Sequence, residues 1–156
     1  MAKPRSIGRF ELFWWGSTLF WALGRLFAWR RVQNGLSSRL GETAAADPNV
    51  AAVASGAQWA AVALVLAATA LLWWLVARRA SVIGKWLVVA IAAAGVVQAL
   101  VLAFQLIGGA NFHALSYPSF LASFALTVAA AAMLFRDDAR AWFGEFDGVA
   151  DEEGAA

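Results

Sequence analysis

Residues 57–76 read AQWAAVALVLAATALLWWLV, twenty consecutive residues without a charged side chain. A helix of about 20 apolar residues is long enough to cross the roughly 30 Å hydrocarbon layer of a bilayer. Residues 86–107 form a second uncharged stretch of 22 residues. Because backbone polar groups in lipid must be satisfied within the chain, both stretches predict membrane-spanning α-helices.

Two further apolar stretches lie outside this pair, at residues 12–29 and 119–135. The 156-residue chain is 62% hydrophobic and has a mean hydropathy of +0.67, so its apolar surface exceeds what a small water-soluble core could bury. We therefore predict an all-α, polytopic membrane protein, a four-transmembrane-helix bundle over residues 1–135. Residues 136–156 follow as an amphipathic and then acidic tail.

The distribution of Lys and Arg predicts the orientation of the four spans. Four spans place both termini on one side, and cytoplasmic segments carry an excess of positive charge. Eight basic residues lie on the side of the termini: Lys3, Arg5, Arg9, Arg78, Arg79, Lys85, Arg136 and Arg140. The other side has four: Arg25, Arg30, Arg31 and Arg39. We expect cytoplasmic termini and a multi-pass protein of the cell inner (plasma) membrane, and the inverted topology is the alternative.

Tryptophans support the same boundaries, because indole rings prefer the headgroup level, where the N–H stays hydrated. Five are expected at the cytoplasmic ends of the spans: Trp14, Trp15, Trp73, Trp74 and Trp86. The first span is not a typical signal peptide, since it contains Arg25, is followed by Arg30 and Arg31, and lacks a small-residue cleavage site. We expect it to stay in the mature protein.

The connection between the first two spans, residues 30–56, is predicted to contain extended helices. Asp47 is suited to cap a helix and Pro48 to occupy its first position. An unbroken helix from Pro48 to Arg79 would be about 48 Å long, well beyond the hydrocarbon layer. The first helix could likewise continue to Leu40, giving a helical hairpin above the outer surface, and a flexible loop is the alternative.

The tail is acidic, with two basic and seven acidic residues over 136–156. Trp142, Phe143 and Phe146 are spaced to share a helical face that could lie on lipid headgroups. The acidic groups are interpreted either as a solvated terminus or as a docking segment, for a basic partner or for Arg78 and Arg79 of this chain.

Reactive side chains are scarce. The chain has no cysteine and a single histidine, His113, in a short outer loop. His113 is interpreted as an ordinary surface residue or as a candidate outer-loop site with a proton or quinone role. A chain with no cysteine and one histidine cannot form a thiolate metal site, a bis-histidine haem site or a nucleophile triad. We therefore predict no catalytic, cofactor-binding or metal-binding residues and a protein that is not an enzyme. The basic residues flank apolar spans, so a nucleic-acid partner is not expected despite a pI near 9.7.

Four intramembrane or boundary residues are candidate polar or lipid contacts: Glu11, Arg25, Gln98 and Gln105. Glu11 is interpreted as capping the first span and pairing with nearby arginines, or as the acid of a small proton-coupled exporter. Arg25 lies about 6 Å from the boundary residue Trp29, so it can snorkel outward or contact an anionic lipid or substrate.

Gln98 and Gln105 are seven residues apart, so their amides face one neighbouring helix or a narrow wet cavity, and neither should face lipid. Thr18, Thr69, Ser123 and Thr127 are expected as their hydrogen-bond partners. Small residues at four-residue spacing should let helices approach closely. They include Gly24 with Ala28, Gly56 with Ala60, Ala63 with Ala67, and Gly95 with Ala99.

The start Arg9-Phe10-Glu11, the segment WWLVARRAS at 73–81 and the pair Lys85-Trp86 resemble uncharacterised small bacterial inner-membrane proteins with four helices. The resemblance implies a layout and no reaction. The residues favour a non-enzymatic accessory, structural or assembly subunit of a larger membrane complex, with other membrane subunits or a homo-oligomer as partners beside the lipid bilayer. The alternative is a small oligomeric transporter or channel that uses the polar face of span three.

Overall fold

The computed structural model describes residues 3–40, 48–107 and 116–145, and all regular secondary structure within those ranges is helical. The all-α class is as predicted. The helices are α1 (Arg5–Leu40), α2 (Pro48–Ala77), α3 (Val82–Ile107), α4 (Ser116–Met133) and the short α5 (Asp137–Trp142).

The helix bounds agree closely with those expected from the sequence. α1 continues to Leu40 and α2 begins at Pro48, as expected for extended helices on both sides of the first connection. α2 ends at Ala77, two residues before the predicted end, and its 30 residues are about 45 Å long. α4 ends at Met133, so the predicted end of the fourth apolar stretch at Phe135 falls in a turn. The predicted break between the helices and the cap by Asp47 lie outside the described residues.

Two of the helices are long and apolar enough to cross a membrane, α2 over Ser55–Ala77 and α3 over Val82–Gln105. α4 contains a shorter apolar segment, Pro118–Met133. In α2 and α3 only 11% of the most apolar window is buried by the rest of the chain. Most of their apolar surface therefore faces outward, an arrangement that lipid or another membrane protein stabilises and water does not.

The turn between α2 and α3 is tight. Ala80 has φ of +48°, the left-handed conformation that follows many helix C-termini. The Ser81 N–H donates to the carbonyl of Leu75 at 3.0 Å, and the Ser81 hydroxyl accepts the N–H of Gly84 at 3.2 Å. A Cβ on Gly84 would lie 3.1 Å from the side chains of Leu75 and Val76. The first turn of α3 is thus fixed against the last turns of α2.

The helices pack most tightly at one end, which we call the closed end. It contains the start of α1, the end of α2, the start of α3, the end of α4 and α5. Its buried apolar cluster comprises Ile7, Phe10, Trp14, Val76, Ala77, Val88, Ala92, Ala130, Ala131, Leu134, Ala139 and Phe143. The opposite end, which we call the open end, begins beyond Trp14 and Ala92 and holds no buried apolar residue of the described part.

α1 and α4 form the main helix pair, with α3 against α4 and α2 against α1 and α3. Two of the expected small residues allow these contacts. A Cβ on Gly24 would lie 2.6 Å from Ser119 Oγ, and one on Gly95 would lie 2.9 Å from a ring carbon of Phe124. Gly56 is different, because an added Cβ would meet no atom within 4 Å.

Candidate functional site

The four long helices line an open cavity of about 660 Å³ beyond the closed end. Such a volume lies in the range of ligand sites in proteins. Aromatic and aliphatic side chains form much of its wall, among them Trp14, Phe20, Trp21, Leu72 and Phe124. The polar residues of the wall are Ser17, Thr18, Arg25, Thr69, Gln98, Ser119, Ser123 and Thr127.

Three hydroxyl groups between α1 and α4 satisfy one another and the backbone. Ser123 donates to the carbonyl of Ser17 at 3.0 Å, and Thr127 donates to the carbonyl of Ser123 at 2.9 Å. A hydroxyl has one proton, so Ser17 must donate to one of these two oxygens. Ser17 Oγ lies 2.7 Å from Thr127 Oγ1 and 3.2 Å from Ser123 Oγ. The group joins the two helices.

The other two cavity threonines are also occupied. Thr18 donates to the carbonyl of Trp14 at 2.9 Å, and Thr69 donates to the carbonyl of Val65 at 2.8 Å. Each closes a local bond within its own helix. The four hydroxyls expected to bond the glutamines of α3 therefore use their protons elsewhere.

The two glutamines have different surroundings. Gln98 is exposed and lines the cavity. Gln105 lies two turns further along α3 and is exposed beyond the cavity. The expectation that both amides are shielded from lipid by a neighbouring helix is thus not met within the described ranges, because the described helices leave both side chains exposed.

Arg25 lies on the cavity side of α1 towards the open end. It is exposed, and its guanidinium carbon lies 5.5 Å from the ring centroid of Trp21, one turn earlier on the same helix. This distance allows a cation–π interaction. In the part of the chain that the structure describes, no carboxylate forms an ion pair with Arg25.

Glu11 connects α1 to α2 at the closed end. Its Oε1 accepts the indole N–H of Trp73 at 2.9 Å, and Lys3 forms an ion pair with its other oxygen. Glu11 is thus paired with a lysine and an indole and not with the arginines expected from the sequence. Glu11 is not among the residues that line the cavity, and no described carboxylate is.

Among the described residues the most buried charge is Lys85, in the first turn of α3, whose side chain is 2% exposed. Its Nζ donates to both carboxylate oxygens of Glu145, at 2.6 and 2.9 Å. It also lies 4.6 Å from the ring centroid of Phe135 and 5.4 Å from that of Phe143. Sequence reasoning counted Lys85 only as a topology signal, because the contact joins residues 60 positions apart.

α5 docks into the closed end, which corrects the prediction of a headgroup-bound face. Phe143 is 8% exposed in the core, and the Trp142 indole donates to the carbonyl of Val76 at 3.3 Å. Both rings therefore find protein partners at the closed end. Phe146 lies outside the described residues.

The acidic groups of this segment also have specific partners. Glu145 pairs with Lys85, whereas Arg78 and Arg79 lie over the rings of Trp73 and Trp74. Asp138 accepts the backbone N–H of Ser6 at 3.0 Å and so caps the first turn of α1 from a different helix. This hydrogen bond to the ionised form is the main cause that lowers the pKa of Asp138. The acidic end, residues 151–156, is outside the described ranges.

The tryptophans expected at the headgroup level fall into two groups. Trp15, Trp74 and Trp86 are between 40% and 56% exposed. Trp14 is buried, and its N–H donates to the carbonyl of Thr69 at 3.1 Å. Trp73 donates to Glu11. Both indoles therefore join helices instead of meeting water.

His113 falls outside the described residues. Within the ranges that the structure covers, no group of three His, Cys, Asp or Glu side chains is placed to hold a metal ion. Comparison of the chain with protein-family models, with curated proteins and with solved structures finds no match.

Proposed function

We propose that this chain is a non-enzymatic integral protein of the cell inner membrane and serves as an accessory, structural or assembly subunit of a larger membrane complex. In this arrangement α1 to α4 cross the bilayer, and the closed end faces the cytoplasm with both termini. The excess of Lys and Arg on that side supports the orientation.

The observation that carries the proposal is the outward face of α2. Gly56, Ala60, Ala63 and Ala67 are all exposed, and their spacing places them within about 60° of one another around the helix. The opposite face of α2, with Val65, lines the cavity. The small residues therefore face away from the bundle.

Small side chains let membrane helices approach closely, so that backbone and side chains make many dispersion contacts. Inside this chain Gly24 and Gly95 serve that purpose. The α2 face has the same composition and packs against no described helix of the chain. We infer that a transmembrane helix of another subunit covers it.

Native mass spectrometry of the tagged protein, extracted from its own membrane with surrounding lipid, tests this function. We expect a second membrane protein at fixed stoichiometry. Ala63→Leu should release it, because the larger side chain keeps the partner helix at a distance. Ala93→Leu is the matched control, since Ala93 is an exposed alanine on the outward face of α3. Isolation of the wild type as a lone monomer would contradict the proposal.

A second candidate function is that of a small oligomeric transporter or channel. Gln98 favours it, because the amide is exposed in the wall of a cavity that all four long helices line. Replacing Gln98 and Gln105 with leucine should then abolish flux at unchanged expression. The bonded hydroxyls speak against a polar substrate path, since their protons are already used. We therefore favour the accessory function.

A further inference from the structure

The two ends of the cavity differ in chemistry. Towards the closed end the hydroxyl protons of Thr69, Ser123 and Thr127 are donated to backbone carbonyls. The indole N–H of Trp14 is bonded as well. A polar occupant at this depth would find no free donor and would lose its own hydration. The inner part of the cavity therefore suits an apolar group.

The outer part of the cavity presents charge. Arg25 is exposed in the wall, lies over Trp21 and has no ion-pair partner among the described residues. A guanidinium binds phosphate with two parallel hydrogen bonds and is weakly hydrated. Gln98, also exposed in the wall, offers amide donors. This part suits an anionic group that bears acceptor oxygens.

The length of the cavity matches one acyl chain, which reaches across about half of the hydrocarbon layer. Trp14 and Arg25 both line it and are eleven residues apart on α1, a rise of about 16 Å. Half of a 30 Å hydrocarbon layer is about 15 Å. A molecule whose anionic group lies at Arg25 could thus extend one acyl chain along the apolar wall to Trp14.

We propose that the cavity is a binding site for an anionic phospholipid, with the phosphate on Arg25 and one acyl chain between the four helices. The phospholipid belongs to the leaflet at the open end. Charge complementarity at Arg25 and the apolar inner wall select this occupant over a polar solute. The inference rests on the membrane insertion proposed above and does not depend on a partner subunit.

The test uses the full-length protein in nanodiscs of phosphatidylcholine with a minor fraction of phosphatidylglycerol, and native mass spectrometry counts the lipids that remain bound. We expect one retained phosphatidylglycerol for each chain. Arg25→Gln should weaken its retention about tenfold, since a charge-assisted contact is lost, and Arg25→Lys should weaken it less. Arg9→Gln is the control, because it removes the same charge from an exposed site of α1 outside the cavity.

A second pair of variants tests the apolar part. Ala94 lines the cavity and Ala93 beside it does not. Ala94→Leu should therefore expel the acyl chain, whereas Ala93→Leu should retain it. Equal retention of phosphatidylcholine, equal effects of Arg25→Gln and Arg9→Gln, or equal effects of the two leucine variants would overturn the proposal. Displacement of the phospholipid by an equal amount of added oleate would overturn it in favour of a free fatty acid.

The same mass spectra distinguish a failure of the lipid site from a failure of the proposed accessory function. A bound lipid and a bound subunit add different masses, so loss of the partner with retained phosphatidylglycerol leaves the lipid site intact. Retention of a partner without any selective lipid would refute the lipid site alone.

Discussion

Lys85 and Glu145 form one ion pair, but removal of Glu145 should destabilise the protein far more than removal of Lys85. The ammonium is 2% exposed, whereas the carboxylate is 31% exposed. Glu145→Ala leaves a buried cation without an acceptor, and the aromatic rings beside it supply only weak compensation. The position of Lys85 in the first turn of α3 adds to the cost, because the positive end of the helix dipole repels the charge.

Removal of one partner of a buried pair costs about 3 to 5 kcal/mol, and we expect Glu145→Ala to lie in that range. Lys85→Met should cost only about 1 kcal/mol, because Glu145 can turn to solvent and the thioether packs on Phe135 and Phe143. The double variant should be about as stable as Lys85→Met alone, since no buried charge remains. The two changes are then strongly non-additive.

Unfolding in mixed micelles by titration with sodium dodecyl sulfate, followed by tryptophan fluorescence, gives the free energies of unfolding for the three variants and the wild type. Nine tryptophans supply the signal. Equal losses for Glu145→Ala and Lys85→Met, or additive losses in the double variant, would refute the argument that the buried ammonium dominates the energetics of this contact.

Three further predictions concern helix contacts and the closed end. Gly24→Ala should lower the free energy of unfolding by about 1 to 3 kcal/mol through overpacking. Gly56 has open space around it, so Gly56→Ala should raise the free energy of unfolding by about 0.5 to 1 kcal/mol, because alanine favours the helix more than glycine does. The same detergent titration measures both. Ala80→Gly should raise the melting temperature, because glycine adopts the positive φ without strain. Asp138 has a lowered pKa, so its contribution to docking of α5 is present above its ordinary pKa and is lost as pH falls through the lowered value. Hydrogen exchange of the α5 amides should therefore become faster at low pH in the wild type. Asp138→Asn should weaken their protection at every pH, and Asp137→Asn should change it little.

Much of the helical layout could be predicted from the sequence, because hydrophobic run length and helix-start signals act locally. Pro48 begins α2 as expected, and Pro118 lies in the first turn of α4. Of the four candidate polar or lipid contacts, Arg25 and Gln98 line the cavity, whereas Glu11 and Gln105 do not. The sequence shows which helix carries each of these residues and how far apart they lie along it. It does not show where the neighbouring helices pack.

The contacts of the closed end could not be predicted, since they join residues far apart in the chain. The pairing of Lys85 with Glu145, the cap of α1 by Asp138 and the hydrogen bond from Trp142 each depend on how α5 folds back. An amphipathic segment has the same spacing whether its apolar face meets lipid or protein. The periodicity therefore identifies the apolar face of this segment but not what the face contacts, and the expected contact with lipid headgroups is wrong for Phe143, which is buried in protein.

The membrane topology can be measured directly, because the chain has no native cysteine. Single cysteines at Gly8, Val82 and Ala141 report on exposed positions of the closed end, and one at Ser38 reports on the far end of α1. None of these changes alters the charge that sets orientation. In membrane vesicles of known sidedness, an impermeant maleimide should label the first three from the cytoplasmic side and the fourth from the opposite side. Labelling of all four from one side would contradict the membrane-spanning arrangement on which the account depends.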